Sequence, residues 1–597
     1  MYRAPLKDLN FVLEHVLGTG SLSSYPGYEE YCIELAASVL EEAAKFAENV
    51  LDPLYKSGDR EASRWTPDGV ITPQGYKDAY RQFAADGWTA LTADPEFGGQ
   101  GVPSVLGTAV SEILSSANMA FKLCPMLTQG AIEALMQQGT DQQKRTYLPR
   151  MIAGTWTGTM NLTEPQAGSD LGQVKTRAVP EGDHYRIFGQ KIFITYGEHD
   201  FTENIIHLVL GRVDGAPPGV RGISLFIVPK FLVKDDGSLG ARNDVYCISI
   251  EHKLGIRASP TAVLAYGQKD GAIGYLVGEA NRGLEYMFIM MNAARLSVGL
   301  EGWAIAERAY QQALEWARTR IQGKPAATTP PGATGPLPIA YHADVKRMLL
   351  TMRSQIEAMR VLGLSAALHL DLAHGHPDAA ARQKHQARLD LLIPIVKGWS
   401  TENGVTLASV GIQVHGGMGF IEETGAAQML RDAQIATIYE GTTGIQANDL
   451  IGRKISRDGG AVLTELLDEL AQELAGKTDS DASVQAIVSA SAAGIKELRA
   501  ALGKLLAALA SDPAAAQAVA VPFLRLCGTV LGGCLLARSA RIAAQLLASG
   551  ASDPGFCRAK LQTAQFYAEQ ILPQATAFAA IVGSGAASVV SADPVLF

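Results

Sequence analysis

The sequence predicts an α+β chain that is mostly α-helical, its segments ordered helical, β, helical and helical. Three observations predict this. Apolar residues recur at three- and four-residue spacing over 31–51, and the same patterning returns over most of 283–455. Between them, 157–277 breaks into short runs of β-branched and aromatic residues separated by turn formers. After Arg457 the chain becomes Ala/Leu-rich, with weak strand signals.

In the first segment Leu35, Val39, Ala43, Phe46 and Val50 mark an expected buried stripe, with Glu41, Glu42, Lys45 and Glu48 on other faces. Pro53 is expected to stop that helix. Helical periodicity then continues, through loops such as 94–101, to about Trp156. The strand candidates are 185–188, 205–210, 223–228, 245–250 and 261–266, with Asp214-Gly215 and Asp236-Gly237 as turns between them. Several short strands at this spacing suggest an antiparallel barrel or sandwich. The next helical segment is broken at 324–338, where Pro and Gly crowd an irregular loop. In the last segment, Leu463, Leu466 and Leu470, and later Phe523, Cys527 and Val530, have core spacing. The expected division is an extension over 1–34, a helical domain over 35–157, a β-domain over 158–278, a helical bundle over 279–455 and an extra helical domain over 456–597.

Composition limits the function classes. The chain has 597 residues, 47% hydrophobic and 19% charged, so it can build large cores. Its net charge of −9 lacks the basic footprint of a nucleic-acid binder. The six cysteines form no Cys-x-x-Cys pair and no zinc-spaced cluster with histidine, so buried free thiols and no metal site are expected. Residues 1–17 show no basic stretch followed by an apolar core, and no run of about eighteen apolar residues lacks charge. A cytoplasmic protein without membrane contact is the expectation.

Four stretches carry candidate chemistry. Asn161-Leu162-Thr163-Glu164-Pro165-Gln166-Ala167-Gly168-Ser169-Asp170 sits where helix gives way to strand, and its small residues let backbone amides approach a ligand. By itself it reads as an ordinary structured loop. Gly189-Gln190-Lys191-Ile192-Phe193-Ile194-Thr195 reads as a strand with Phe193 and Thr195 on one face, suited to a flat heteroaromatic group or simply to a core. Gln413-Val414-His415-Gly416-Gly417-Met418-Gly419-Phe420 permits tight backbone approach but is not a Rossmann fingerprint. Ile438-Tyr439-Glu440-Gly441-Thr442-Thr443-Gly444-Ile445 places a carboxylate on a loop before a helix, where it can reach into a cleft or complement the helix dipole.

In identity, order and spacing these four stretches together resemble the acyl-CoA dehydrogenase family, over roughly residues 35–455. The extension and the extra helical domain resemble the subgroup containing 3-methylmercaptopropionyl-CoA dehydrogenase. The resemblance implies a helical N-terminal domain, a middle antiparallel β-domain, a C-terminal four-helix bundle and the extra helical domain. It implies FAD as cofactor, held by Met160, Leu162, Thr163, Ser169, Phe193, Thr195, Gln413, Gly416, Gly417 and Thr442, with the Gln413–Gly417 stretch covering the adenosine half of a neighbouring subunit. Arg320 and Gln322 match two further FAD contacts, although Gly323 stands where many members carry phenylalanine. Ser169, Asn292, Arg295 and Gly441 are implied at the acyl-CoA substrate. Glu440 is implied as the α-proton base, since the position used by a minority of members is Ala294 here.

The implied reaction is α,β-dehydrogenation of an acyl-CoA to a trans-2-enoyl-CoA, in fatty acid β-oxidation or on 3-methylmercaptopropionyl-CoA. Electron-transfer flavoprotein is the implied acceptor and a homodimer the implied assembly. An oxygen-using acyl-CoA oxidase and a non-catalytic assembly protein stand as alternatives.

Overall fold

The computed structural model describes residues 1–325, 335–476, 481–550 and 552–596; residues 326–334 of the expected Pro/Gly-rich loop lie outside the described residues. The chain divides into two compact units. One comprises Met1–Ala44, Pro103–Ser116 and Val298–Phe597, the other Lys45–Val102 and Ala117–Ser297.

The second unit is built on an eight-stranded sheet. Its hydrogen-bonded order is Val245–Ile250, Thr261–Tyr266, His184–Thr195, Ala272–Leu276, Ile223–Pro229, Asn204–Val213 and Trp156–Asn161, with Arg177–Glu181 pairing both His184–Thr195 and Asn204–Val213. All five expected strands are present. Ile223–Pro229 and Thr261–Tyr266 are buried along their whole length, which is why they read as continuous apolar runs. The expectation of a purely antiparallel arrangement needs correction at two pairings. Trp156–Asn161 and Arg177–Glu181 each run parallel to Asn204–Val213. These two strands went unrecognised because Thr, Gly and Asn in the first, and Arg and Pro in the second, weaken the apolar signal. Buried polar pairs inside this unit include Thr157 Oγ1, 2.9 Å from His199 Nε2, and Thr159 Oγ1, 2.7 Å from His207 Nδ1.

Three further expectations are corrected. Pro53 does not end the first helix. A π-turn over Ala47–Leu51 leads into a new helix, Asp52–Glu61, with Pro53 in its first turn, where its missing N–H leaves no bond unmade. The buried stripe of Ile33–Phe46 is centred on Ala36, Leu40, Ala43 and Phe46, whereas Leu35 is exposed. A small hairpin, Arg64–Thr66 with Gly69–Ile71, interrupts the region read as helical.

In the first unit, helices Ala343–Gly375 and Ala379–His415 pack against Ala461–Ala475, Ala520–Ala548 and Pro554–Phe566 from the end of the chain. Helix Ala520–Ala548 runs through their centre. It is long and apolar enough to cross a membrane, but 83% of that apolar window is buried inside the protein. Phe523, Cys527 and Val530 are fully buried, as their spacing predicted. One face of this helix is glycine: a Cβ on Gly528 would stand 2.2 Å from Trp399, and one on Gly532 would stand 3.0 Å from the same ring. Trp399 therefore fills a groove that any larger side chain would close. Arg541 closes the end of helix Ala461–Ala475 by donating to Glu473 O at 2.9 Å and Leu474 O at 3.1 Å. That helix buries Leu463, Leu467, Leu470 and Leu474; Leu467 takes the core position expected of Leu466, which is half-buried. Of the cysteines, Cys32 is exposed and Cys247 only half-buried, unlike the buried thiols expected.

The N-terminal residues are tied into this unit. Lys7 pairs with Asp553 at 2.6 Å, and Lys560 bridges Asp8 and Glu357. Arg360, with 2% of its side chain exposed, holds Glu112 at 2.6 Å and Glu307 at 2.9 Å. Arg360 gives both buried carboxylates a cation within hydrogen-bond distance, while burial still pushes the Glu112 carboxyl above its ordinary range.

Candidate active site

In the second unit the first two sequence motifs become neighbours. Ile192 N donates to Thr163 O at 2.9 Å, so the chain leaving strand Trp156–Asn161 lies alongside strand His184–Thr195. Met160 and Leu162 are buried and Thr163 half-buried. Ser169 is exposed on the loop beyond.

A buried ion pair joins the two motifs from beneath. Lys191, with no exposed side-chain surface, reaches Glu164 Oε1 at 2.8 Å and Leu162 O at 3.0 Å. Glu164 also accepts from Thr176 Oγ1 at 2.6 Å, Thr176 N at 3.0 Å, Lys175 N at 2.7 Å and Gln166 Nε2 at 2.6 Å. Burial alone would raise the Glu164 carboxyl, but Lys191 and these donors hold it below its ordinary range. Burial draws the Lys191 ammonium down to about 8, against the pull of Glu164. Both residues lay inside the quoted motifs without an assigned role. The signal was available: a lysine in a strand flanked by apolar residues needs a counter-charge.

Above this pair the strand changes register. Thr195 and Ile194 pair with Thr261 and Ala262, but Leu264 pairs with Lys191, so one extra residue sits on the His184–Thr195 side. The bulge places Phe193 in the left-handed region, φ +61°, with 59% of the residue exposed, while Lys191 and Ile194 both point inward. Thr195 is half-buried beside it. A non-glycine residue held at positive φ carries strain of about 1–2 kcal/mol, which clusters at functional positions. An exposed aromatic ring with a hydroxyl two residues along suits a flat heteroaromatic ligand.

On the helix beginning at Gly283, Arg295 is buried and lies over the Phe288 ring at 5.7 Å; Asn292 is half-buried.

In the first unit the carboxylate loop is clamped through its carbonyls. Glu440 and Gly441 are both left-handed, with φ of +55° and +91°. Gln446 Nε2 donates to Glu440 O at 3.0 Å, and Lys397 Nζ donates to Gly441 O at 2.6 Å. Thr442 caps the following helix, Thr443–Asp449, accepting from Ile445 N at 3.3 Å. Tyr439 donates its hydroxyl to Glu301, and burial, with Glu301 and Glu440 nearby, keeps that phenol protonated well beyond its usual range. Glu440 itself is half-buried. Lys397 was missed by sequence reasoning, although one lysine after the apolar run Leu391-Leu392-Ile393-Pro394-Ile395-Val396 marked it.

The glycine stretch ends helix Ala379–His415. Gly416 takes φ +62°, and a Cβ added to Gly416 or Gly417 would meet no atom within 4 Å. Gln413 and both glycines are exposed, so this backbone is open to close approach. The His415 ring stacks on Trp316 at 5.4 Å, bringing the stretch beside the helix end that leads to Arg320 and Gln322. Both of these side chains are exposed. Ile321 bridges Pro338, and His342 Nε2 lies 2.8 Å from Gln322 O, pinning the exit of the helix without the phenylalanine at Gly323.

Four family models match the chain: "Acyl-CoA dehydrogenase, N-terminal domain" over 35–155, "Acyl-CoA dehydrogenase, middle domain" over 159–266, "Acyl-CoA dehydrogenase, C-terminal domain" over 281–455 and "Acetyl-CoA dehydrogenase C-terminal like" over 466–593. The chain is 49% identical to a 3-methylmercaptopropionyl-CoA dehydrogenase of Ruegeria pomeroyi, over 96% of this chain and 97% of that protein. It is 34% identical to a butyryl-CoA dehydrogenase of Syntrophomonas wolfei, over 96% of this chain and 95% of that protein. Among solved structures it resembles an acyl-CoA dehydrogenase of Bacillus anthracis complexed with FAD, with a TM-score of 0.74 and 20% identity, covering 96% and 91% of the two chains.

Proposed function

The chain belongs to the acyl-CoA dehydrogenase family, and on that premise we propose that it oxidises an acyl-CoA at the α,β-bond with FAD as cofactor and Glu440 as base. The observation that carries the proposal is the loop at Glu440. A carboxylate sits on a left-handed residue whose own carbonyl and the next are each held by a buried donor, Gln446 and Lys397. Such strain and anchoring are expected where a side chain must be held ready for chemistry.

The residues present fit FAD. Phe193 offers an exposed ring, Thr195 a hydroxyl beside it, and Gly416 and Gly417 an unobstructed backbone. Held by these residues, FAD would supply the acceptor for the β-hydrogen and its bonding electron pair. Glu440 removes the α-proton. A free glutamate, with a pKa of about 4.3, is a weak base, and entry of the acyl chain expels water and raises its basicity. The Glu440 N–H donates to the thioester carbonyl, stabilising the charge that develops as the α-proton leaves. The product is a trans-2-enoyl-CoA.

The substrate we propose is 3-methylmercaptopropionyl-CoA, on the strength of 49% identity along nearly the whole of both chains. Electrons pass to electron-transfer flavoprotein, and the working form is a homodimer. The test is anaerobic bleaching of the flavin absorbance with 3-methylmercaptopropionyl-CoA, butyryl-CoA and longer acyl-CoAs, for wild type and Glu440→Gln. Bleaching by wild type, with binding but no bleaching by the variant, supports the base assignment, and the fastest substrate identifies the chain. Equal bleaching by the variant removes Glu440 from the role. Oxygen consumption without an added acceptor would turn the reading towards an oxidase.

A further inference from the structure

We propose that Arg525, on the central helix Ala520–Ala548, is a positioning residue for the Glu440 loop and acts on it through Glu402 and Thr443. The inference rests on Glu440 being the base.

Glu402 lies on helix Ala379–His415 and uses its two oxygens in two directions. Oε1 accepts from Thr443 Oγ1 at 2.6 Å, and Oε2 accepts from Arg525 Nη2 at 3.1 Å. Thr443 is buried and is the first residue of the helix that Thr442 caps, so fixing its hydroxyl fixes the exit of the 440–442 loop. Lys397 and Gln446 clamp the same loop at its carbonyls, on the other side of Thr442. The bridge through Glu402 is thus a third restraint, reaching the loop from the C-terminal helices.

Two observations make this bridge more than an incidental surface pair. The first is packing. A Cβ on Gly398 would stand 2.8 Å from Leu524 and 3.5 Å from Gln446, so the Glu402 helix is pressed against both the helix bearing Arg525 and the helix after the loop. The second is space. Glu402, Arg525, Arg347, Trp399, Gln570 and Gln574 are among the residues that line a cavity of about 330 Å³. With that room, steric packing does not hold the Glu402 carboxylate in one rotamer. Its orientation depends on the hydrogen bonds at its two oxygens.

This gives the C-terminal helices a task in the reaction: they order the base loop from behind. The test is a double-mutant cycle on the FAD-loaded, full-length enzyme, following anaerobic flavin bleaching with saturating acyl-CoA. Arg525→Met and Thr443→Val each remove one end of the bridge, whose two hydrogen bonds meet at the two oxygens of Glu402. Arg525 is 43% exposed on its side chain, so its loss opens no buried void. Each single variant is expected to bleach about tenfold more slowly, about the weight of one charge-assisted hydrogen bond. Acyl-CoA dissociation constants and bound FAD should stay within twofold. The double variant should be no slower than the singles, because one relay has been cut twice. Arg525→Lys should recover most of the rate.

Multiplicative losses in the double variant, or an unchanged rate in Arg525→Met, would overturn the proposal. Glu440→Gln is run alongside. If that variant bleaches normally, the base assignment has failed and the relay with it. If it is inactive while Arg525→Met is fully active, the relay alone has failed.

Discussion

Replacing Gly441 by alanine tests the loop geometry most directly. Gly441 has φ +91°, and an added Cβ would stand 2.7 Å from Gln446 Nε2 and 3.1 Å from Ile445 Cγ2. The Gln446 amide is no loose end, because Gln446 is fully buried and donates to Glu440 O. The left-handed backbone contributes strain of about 1–2 kcal/mol for any residue with a Cβ. Pushing the Gln446 amide aside forfeits one hydrogen bond, about 1 kcal/mol. The total is about 2–3 kcal/mol, and the loop can relieve it only by moving Glu440. If it does so, the competent arrangement becomes about 30- to 150-fold rarer, at ~1.4 kcal/mol per factor of ten. Stopped-flow bleaching of the flavin by acyl-CoA reads that factor, and the melting temperature shows whether strain stayed in the fold. A bleaching rate within threefold of wild type together with an unchanged melting temperature would refute the reasoning.

Other outcomes follow from the surrounding structure. Lys191→Met leaves Glu164 buried without its cation, which for a buried pair weighs about 3–5 kcal/mol; the expected result is lower thermal stability with loss of bound flavin, and flavin content at wild-type level would contradict it. Gly528→Ala drives a methyl to within 2.2 Å of the Trp399 ring, and overpacking of this kind weighs about 1–3 kcal/mol or more, so the midpoint of denaturant unfolding should fall visibly. His207 is drawn from 6.5 to about 3 by burial, with Arg242 and Lys230 adding to the shift. Above pH 6.5 it is neutral in both folded and unfolded chains. As pH falls from 6.5 towards 3 the unfolded chain takes up a proton that the folded chain refuses, so stability is lost across that window, up to about 4–5 kcal/mol from this one group. Equilibrium unfolding between pH 7 and 4 should therefore show a shallower acid slope for His207→Gln than for wild type, and equal slopes would contradict the assignment.

Much of the fold was legible along the chain because periodicity is a local property. The strands at 204–213 and 223–229 announced themselves as apolar runs, and Phe523, Cys527 and Val530 as a helical stripe, since the side chains that make the pattern are the ones that become buried. The family was legible for a related reason: the four motifs are contiguous strings, and each forms one local turn or strand end. Their order along the chain is preserved whatever the tertiary arrangement.

What only the tertiary structure decided are the pairings between distant residues. Lys191 and Glu164 are 27 positions apart, Lys397 and Gly441 are 44 apart, and Arg525 and Glu402 are 123 apart. Nothing in a linear pattern says which buried charge answers which. The same holds for the bulge at Phe193, which depends on the register of Thr261–Tyr266 against its partner strand. It holds too for the choice of Leu467 over Leu466, set by which face of the helix its neighbours cover. A sequence determines period and composition element by element. Partner, register and rotation are properties of two elements at once, and they exist only when the elements have packed.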